Sequence, residues 1–277
     1  MTTYLRPRTL AEAVEARAAH PDWMVLAGGT DLMVNATHRP APAGILDLWR
    51  LPELRGITRT DVLTIAAGTT WLEVEHHPEV VKGFGPLAAA AREIGALQIQ
   101  ARGTLGGNVG TSSPVGDSLP VLLAFDAELE LASVRGHRRV AYREFCTGYR
   151  KTLLAPDELI VAAHLAPPRK GTRTAWRKVG TRRAQSISKV MGAAFIELDG
   201  DVVKMARIAL GAVADRPIRV AAAEQAVVGL PLAKAGDAAR AAVRASIKPI
   251  DDIRSTATYR REVAENVVAR FFSGILT

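Results

Sequence analysis

The sequence of 277 residues contains a single cysteine, Cys146, and this scarcity excludes several kinds of site. Iron–sulfur clusters and thiolate zinc sites are held by several cysteines, and a disulfide needs a pair. The histidines include one adjacent pair, His76 and His77, but adjacent side chains in a helix or strand diverge, and no HExxH spacing occurs. We therefore predict that this chain by itself holds no metal ion, cluster or disulfide.

Long apolar runs and a signal-peptide pattern are also missing. No stretch reaches the roughly eighteen apolar residues of a membrane-spanning helix. The amino terminus, MTTYLRPRTLAEA, lacks the basic segment followed by an apolar one that directs export. We expect a cytoplasmic protein without a membrane span.

Aromatic residues are few, at 5% of the sequence, although the net charge is +8. A nucleic-acid-binding protein usually clusters basic residues among aromatic ones, whereas the basic residues here are spread along the chain. We therefore predict no nucleic-acid ligand and interpret the densest basic stretch, residues 169–183, as a solvated strand and loop. A cationic face that meets an anionic ligand or an acidic partner chain is the alternative.

Periodicity and helix-breaking residues divide the chain into three stretches, residues 1–58, 59–168 and 169–277. In the first stretch, Thr9 and Glu12 form a capping-box pattern ahead of a short helix. The segment WMVLAGGTDLMV then predicts a buried strand, a glycine turn and a second helix, and GILDL predicts another strand.

The middle stretch combines short strands with an alanine-rich helix at about residues 84–95. The predicted strands lie at 62–66, 127–133, 138–141 and 159–164. Pro167 and Pro168 end this stretch, since proline disfavours helix in the residue before it and lacks a backbone donor. In the last stretch, RTAWRKV and VMGAAFIELDGDVVKMARIALGAV predict an antiparallel meander that turns at Asp199 and Gly200, followed by helices. The overall prediction is an α+β fold.

Two glycine-rich stretches stand out, LAGGTDL (26–32) and RGTLGGNVGTSSPVGDSLP (102–120). Neither matches the GxGxxG or GxxxxGK nucleotide motif. A strand that ends at Gly28 and Gly29 and leads into a helix near Asp31 directs backbone N–H groups across the turn, which suits a diphosphate. The threonines and the asparagine of the second stretch add neutral hydrogen-bonding groups that suit a phosphate or a polyol chain.

Longer motifs around these glycines resemble the FAD-binding subunit of the molybdenum hydroxylases, the xanthine dehydrogenase and carbon monoxide dehydrogenase family. The resemblance rests on AGGTDL, on AREIGALQIQARGTLGGNVGTSSPVGDSLPVLLAFDAELEL, on FCTGYRKTLLAPDELI and on the later YRREVAENVVARFF. It covers essentially the whole chain. It implies a fold similar to vanillyl-alcohol oxidase, in which a small amino-terminal α/β part and a mixed middle part clasp extended FAD. A separate carboxy-terminal domain of antiparallel sheet and helices follows.

The resemblance also assigns residues to FAD. The expected cofactor-binding residues are Leu26, Ala27, Gly28, Gly29, Thr30, Asp31, Thr104, Gly106, Gly107, Asn108, Thr111, Asp117, Ile160 and Lys178. The first glycine stretch would bind the diphosphate through backbone N–H groups, and the second would complete the diphosphate and ribityl contacts. Asp117 would accept from a ribose or ribityl hydroxyl, while Ile160 and Lys178 would contact the flavin end. Ala101 departs from the asparagine of many relatives, which puts one polar contact in doubt.

The residues by themselves also permit structural roles for several of these positions. Asp117 could cap a helix formed by SLPVLLAF, Thr104 and Thr111 could satisfy local backbone groups, and Lys178 could be a solvated strand residue. We interpret residues 149–151, Tyr-Arg-Lys, as structural or as a subunit contact. No catalytic residue is predicted.

The resemblance implies an electron-transfer function. Family members oxidise a heterocycle, an aldehyde or carbon monoxide at a molybdenum cofactor, relay electrons through iron–sulfur clusters and reduce NAD+, oxygen or a quinone at FAD. Because one cysteine cannot hold a cluster, we expect this chain to be the FAD subunit of an oxidoreductase with separate iron–sulfur and molybdopterin subunits, assembled as a dimer of heterotrimers. The loop GTRRAQSIS (180–188), with Arg182 and Arg183, is the expected neighbour of the acceptor pocket.

Two other functions fit parts of the pattern. A self-contained flavin-dependent oxidase or reductase would need its own substrate pocket over the flavin, and no motif identifies one. A scaffold subunit without flavin would keep the fold, but it has no need for two glycine-rich stretches that expose so much backbone.

Overall fold

The amino-terminal segment forms a small parallel sheet in the computed structural model, which describes residues 2–38, 40–182 and 185–273. The strands β1 (Thr3–Leu5), β2 (Met24–Leu26) and β3 (Gly44–Asp47) lie in the order β1-β3-β2, and helix α1 (Leu10–Ala19) connects β1 to β2. Thr9 begins α1 as predicted, because its hydroxyl accepts from the backbone N–H of Glu12. The Glu12 carboxylate accepts from the N–H of Arg8, one residue earlier than a capping box requires.

Strand β2 differs from its prediction. It is only three residues long and half-buried, whereas the sequence predicts a longer, buried strand. The chain leaves β2 in a turn at Gly29, where φ is +79°, and continues into a 3₁₀ helix, Leu32–His38. Val25, in the middle of β2, packs against a hydrophobic cluster that includes Leu46 but also lines a cleft, and this explains its partial exposure.

The middle segment contains an antiparallel sheet of five strands, in the order β4-β5-β10-β6-β7. A 3₁₀ turn (Pro52–Leu54) precedes it, and its elements in chain order are β4 (Ile57–Arg59), β5 (Leu63–Ala66), α2 (Trp71–His76), α3 (Pro78–Gly83), α4 (Gly85–Glu93), α5 (Leu97–Gln100), α6 (Leu105–Thr111), α7 (Leu119–Ala124), β6 (Glu128–Ser133), β7 (Gly136–Ala141), α8 (Tyr142–Phe145), β8 (Cys146–Gly148), β9 (Lys151–Thr152) and β10 (Leu159–Leu165). The four predicted strands and the alanine-rich helix are confirmed as β5, β6, β7, β10 and α4. Strand β4 crosses residue 58, the position of the predicted first boundary.

Strand β10 is the centre of this sheet and is buried along its whole length. Ile160 and Ala163 pack into the main hydrophobic core with the helices of the middle segment. Leu159 and Val161 pack on the other side, in a second core that includes residues of α1 and β3. Because both faces are covered, the strand is a nearly continuous apolar run.

The carboxy-terminal segment is an antiparallel sheet covered by helices, as predicted. Its elements are β11 (Arg173–Val179), β12 (Val190–Asp199), β13 (Val202–Gly211), β14 (Ile218–Arg219), α9 (Ala221–Val227), α10 (Leu232–Ser246) and α11 (Ala257–Phe272). The turn between β12 and β13 contains Gly200 with φ of +61°, which confirms the predicted turn position. Phe195 of β12 packs edge-on against Phe125 of the middle segment, so this sheet also closes the main core.

A buried ion pair joins the carboxy-terminal sheet to the middle segment. The Lys178 ammonium on β11 donates to Asp117 Oδ2 at 2.7 Å and to the Glu93 carbonyl at 2.9 Å. The Ser188 hydroxyl donates to the second carboxylate oxygen of Asp117 at 2.5 Å, and the Trp176 indole donates to its backbone carbonyl at 3.1 Å. The Lys178 ammonium and the Asp117 carboxylate are therefore both paired and hydrogen-bonded, as buried charges need to be.

This ion pair predicts that substitutions at two neighbouring residues of β11 change the free energy of unfolding by different amounts. Lys178→Met leaves the Asp117 carboxylate buried without its counter-charge, and we expect the free energy of unfolding in urea to fall by about 3–5 kcal/mol. Arg177→Met, at the exposed neighbouring position, should change it by less than about 0.5 kcal/mol. The double variant Asp117→Leu, Lys178→Met should recover part of the loss. Equal effects of the two single substitutions would contradict a stabilising role of the Asp117–Lys178 ion pair.

Candidate functional site

A cleft of about 640 Å³ lies between the amino-terminal sheet and the middle segment, and its size is typical of a small-molecule site. Its walls are β2 and the turn after it on one side, and α6 with the start of β10 on the other. The predicted cofactor-binding residues that line it are Ala27, Gly28, Gly29, Thr30, Asp31, Thr104, Gly106, Gly107, Asn108, Thr111 and Ile160. The structure therefore brings residues from three separate parts of the sequence to one surface.

Three predicted residues lie outside the lining of this cleft. Leu26 belongs to β2, and its carbonyl accepts from the N–H of Leu48. Asp117 and Lys178 are paired with each other, so the interpretation of Lys178 as a solvated residue is wrong. The interpretation of Asp117 as a helix cap is also wrong, because α7 begins after Ser118 and the Asp117 carboxylate bonds to Lys178 and Ser188. Direct contacts of these three residues with a cofactor stay predictions.

The first glycine turn, residues 27–31, offers unpaired backbone donors. No described residue accepts a hydrogen bond from the N–H groups of residues 28–31. These donors follow one another in a turn that reaches the left-handed region at Gly29. Successive free N–H groups in such a turn form a concave binding site for an anion.

In the second glycine turn, residues 102–108, the backbone N–H groups are hydrogen-bonded within the protein except that of Thr104, for which no described residue is an acceptor. The N–H groups of Leu105 and Gly106 donate to the carbonyls of Thr69 and Ala67, at 3.0 and 2.7 Å. The next two N–H groups both donate to Thr104. That of Gly107 donates to the Thr104 hydroxyl, and that of Asn108 donates to the Thr104 carbonyl. Thr104 therefore caps α6 and satisfies local backbone groups, which is the structural role that the sequence left open. Polar contacts from this turn to a ligand are left to the N–H of Thr104 and to side chains such as the amide of Asn108.

The glycines of the two turns are needed for different reasons. A Cβ on Gly28 would lie 1.8 Å from the carbonyl oxygen of Arg102, so this glycine lets the two turns touch. A Cβ on Gly106 would lie 2.7 Å from Cβ of Ala67, so this glycine lets α6 pack on β5. A Cβ on Gly107 would meet only the Thr104 hydroxyl, at 3.0 Å, and otherwise faces the cleft. Gly107 thus leaves room for a ligand, as does Gly110, where a Cβ would meet only the end of the Ile160 side chain at 3.5 Å.

Two arginines and one aspartate are the charged residues among those lining the cleft in the described part of the chain. Arg150 has φ of +52°, which is unusual for a residue with a side chain, and its guanidinium donates twice to the Asp31 carboxylate at 3.4 Å. These are long hydrogen bonds between exposed groups. The sequence interpretation gave Arg150 a structural or subunit role, and the cleft position was missed because residues 31 and 150 meet only in the folded chain.

Arg17 and the tryptophans Trp23, Trp49 and Trp71 also line the cleft and were not predicted. Arg17 lies on α1, and its guanidinium donates to the carbonyl of Trp23 at 2.9 Å. The guanidinium groups of Arg55 and Arg102 form cation–π contacts with the Trp49 ring, at 4.1 and 3.7 Å from the ring centroid. No sequence motif marks these positions, because a single arginine in a helix usually belongs to a solvated face.

Cys146 is the first residue of β8 and is buried. Its sulfur accepts from the hydroxyl of Ser112, the residue that ends α6 with φ of +47°. Among residues 2–38, 40–182 and 185–273, no three His, Cys, Asp or Glu side chains are grouped as a metal site would need. Over the same residues, no helix combines the length and the apolar character of a membrane span.

Comparison with known proteins gives matches over nearly the whole chain. Residues 1–167 match the family model described as FAD binding domain in molybdopterin dehydrogenase, and residues 175–275 match CO dehydrogenase flavoprotein C-terminal domain. The xanthine dehydrogenase FAD-binding subunit of Escherichia coli O157:H7 is 33% identical, over 98% of this chain and 94% of its own length. The carbon monoxide dehydrogenase medium chain of Hydrogenophaga pseudoflava is 31% identical, over 96% of this chain and 94% of its own.

Solved structures show the same relationship. A chain of carbon monoxide dehydrogenase from Hydrogenophaga pseudoflava superposes with a TM-score of 0.93, at 31% identity, over 97% of this chain and 95% of that one. A chain of quinoline 2-oxidoreductase from Pseudomonas putida 86 gives a TM-score of 0.90 at 25% identity, over 99% of this chain and 96% of that one. The predicted α+β fold is confirmed, and this chain belongs to the FAD-binding medium subunits of the xanthine dehydrogenase and carbon monoxide dehydrogenase family.

Proposed function

We propose that this chain is the electron-transfer subunit of a multi-subunit molybdenum hydroxylase, carrying FAD in the cleft. It takes electrons from iron–sulfur clusters on a partner chain and passes them to NAD+ or another acceptor. Bound FAD supplies the chemistry, since a flavin exchanges electrons singly or as a hydride and so connects one-electron centres to a two-electron acceptor. The protein supplies position and electrostatics.

The observation that carries the proposal is the set of free backbone donors at residues 28–31. A diphosphate needs several donors that converge on closely spaced oxygens, and a turn of successive N–H groups provides them without a lysine. The open space beside Gly107 lets a ligand come close to the opposite wall. The residues present therefore fit FAD.

Arg150 offsets the negative charge of Asp31 on this wall of the cleft. A diphosphate brings negative charge next to Asp31, which would otherwise repel it. The Arg150 guanidinium already bonds to Asp31, at distances that leave the contact weak. It therefore neutralises the carboxylate and lies where it can also donate to a phosphate oxygen.

The need for partner chains follows from the cysteine content. One buried cysteine that bonds to Ser112 cannot ligate a cluster, so the electron donor must come with another polypeptide. The matched relatives are named as a subunit and a medium chain, which supports a multi-subunit enzyme. We propose an iron–sulfur subunit and a molybdopterin subunit as partners, in a dimer of heterotrimers.

The acceptor side is proposed to involve the loop of residues 180–188. The Arg182 guanidinium donates to the carbonyl of Gln185, at 3.0 Å from Nε. Arg183 lies outside the described residues. NAD+ is the proposed acceptor, and oxygen or a quinone is the alternative.

The electron-transfer role predicts that turnover depends on assembly. We expect the isolated chain to contain neither iron nor molybdenum, to oxidise no heterocycle or aldehyde, and to show at most slow NADH-dependent dye reduction. Co-expression with iron–sulfur and molybdopterin chains from the same host should restore substrate turnover, measured with each acceptor in turn. Robust turnover by the single chain would instead favour a self-contained flavin-dependent oxidase.

The cleft assignment predicts a specific loss of flavin at Gly107. Gly107→Val places a branched side chain in the open space and should lower the flavin content below about one tenth, because close approach to the wall is blocked. Gly85→Val is the matched control, since Gly85 is an exposed helix residue with no atom within 4 Å of an added Cβ. The measurement is chromatography of flavin released by denaturation. Wild type should release FAD, without FMN, and full FAD occupancy in Gly107→Val would disprove the assignment.

A further inference from the structure

Arg17 presents a buried donor that no protein group satisfies. Its Nη1 donates to the Trp23 carbonyl at 2.9 Å, but its Nε is buried with no hydrogen-bond partner. Burial lowers the pKa of the guanidinium below its usual value, although the group stays protonated at neutral pH. A buried unsatisfied N–H is uncommon in folded proteins and indicates an acceptor that binds there. Because Arg17 also lines the cleft, the missing acceptor can belong to a ligand.

The position of Arg17 separates it from the diphosphate turn. Trp23, to which Arg17 bonds, comes just before β2, whereas Gly28 follows the other end of β2. The extended strand β2 lies between these two positions and spans about 7 Å at roughly 3.3 Å per residue, so they lie at different places along the cleft wall. Arg17 therefore faces a part of an extended ligand beyond the diphosphate.

The surroundings of Arg17 favour a neutral acceptor. Asp157 and Asp22 act on its charge and oppose the lowering of its pKa, so the guanidinium already has nearby counter-charges. Arg17 bonds to Trp23, and the apolar residues Val25 and Leu159 line the same cleft. A site of this composition suits a nucleoside, whose ring packs on apolar groups while its polar atoms accept single hydrogen bonds.

We propose that Arg17 binds the adenosine half of FAD, with its Nε–H donating to a ribose hydroxyl or an adenine ring nitrogen. The inference rests on the proposed function. It adds to that function by assigning the part of the cleft beside Arg17 to the adenosine of FAD. Val115 and Gly116 of the lining directly precede Asp117, whose partner Lys178 is the residue that the family resemblance puts at the flavin. Arg17 is thus a residue that distinguishes a dinucleotide from FMN, which lacks adenosine.

The test is to measure the affinities of flavin-free full-length variants for FAD, FMN and ADP by calorimetry. Arg17→Met should weaken the binding of FAD and ADP by about 10- to 100-fold, the range for one hydrogen bond from a charged donor, and leave FMN binding unchanged. Arg17→Lys should show the same loss, because lysine keeps the charge but has no donor at the Nε position. Arg8→Met, at an exposed arginine of the same segment, is the control.

The outcomes separate this inference from the proposed function. If wild type prefers FAD and both Arg17 variants keep that preference, the assignment of Arg17 is overturned while the proposed function stands. Full rescue by Arg17→Lys would also overturn it, since charge alone would then explain the effect. If FMN and FAD affinities fall together, Arg17 supports the fold instead of the adenosine. If wild type binds no flavin, the proposed function itself fails.

Discussion

The structure depends on one backbone contact, the approach of Gly28 to the carbonyl of Arg102. A Cβ at residue 28 would lie 1.8 Å from that oxygen, and no rearrangement of a side chain could relieve the clash because both groups belong to the backbone. Beside it, Gly103 comes close to the Thr30 hydroxyl and to the ring of Trp71. The missing side chain at residue 28 lets the amino-terminal segment approach the middle segment this closely, and the approach limits the width of the cleft between them.

The two glycine turns that meet there have different chemical roles. In the first turn the N–H groups of residues 28–31 have no protein acceptor, so they are available to an anion. In the second turn the N–H groups of residues 105–108 all donate to carbonyl or hydroxyl oxygens of the protein. The second turn is thus a rigid wall, and the first is the part that binds charge. A glycine-rich sequence by itself does not distinguish a turn that binds from a turn that packs.

The sequence predicted the regular elements well and the site less completely. Short runs of β-forming residues identify β5, β6, β7 and β10, because this signal depends only on neighbours along the chain. The complete capping box is at Thr70 and Glu73, not at the predicted Thr9, since the second bond depends on where the glutamate side chain packs. The partners of Lys178 and Arg150 lie 61 and 119 residues away in sequence, so only tertiary structure reveals them.

Amide hydrogen exchange in the presence and absence of FAD tests the central claim most directly. In the ¹⁵N-labelled chain without flavin, we expect fast exchange at residues 28–31 and slow exchange at 105–108, because only the second set is hydrogen-bonded. Saturating FAD should slow exchange at residues 28–31 by at least about tenfold and change 105–108 little. New protection at 105–108 without any at 28–31 would contradict the assignment of the diphosphate to the first glycine turn.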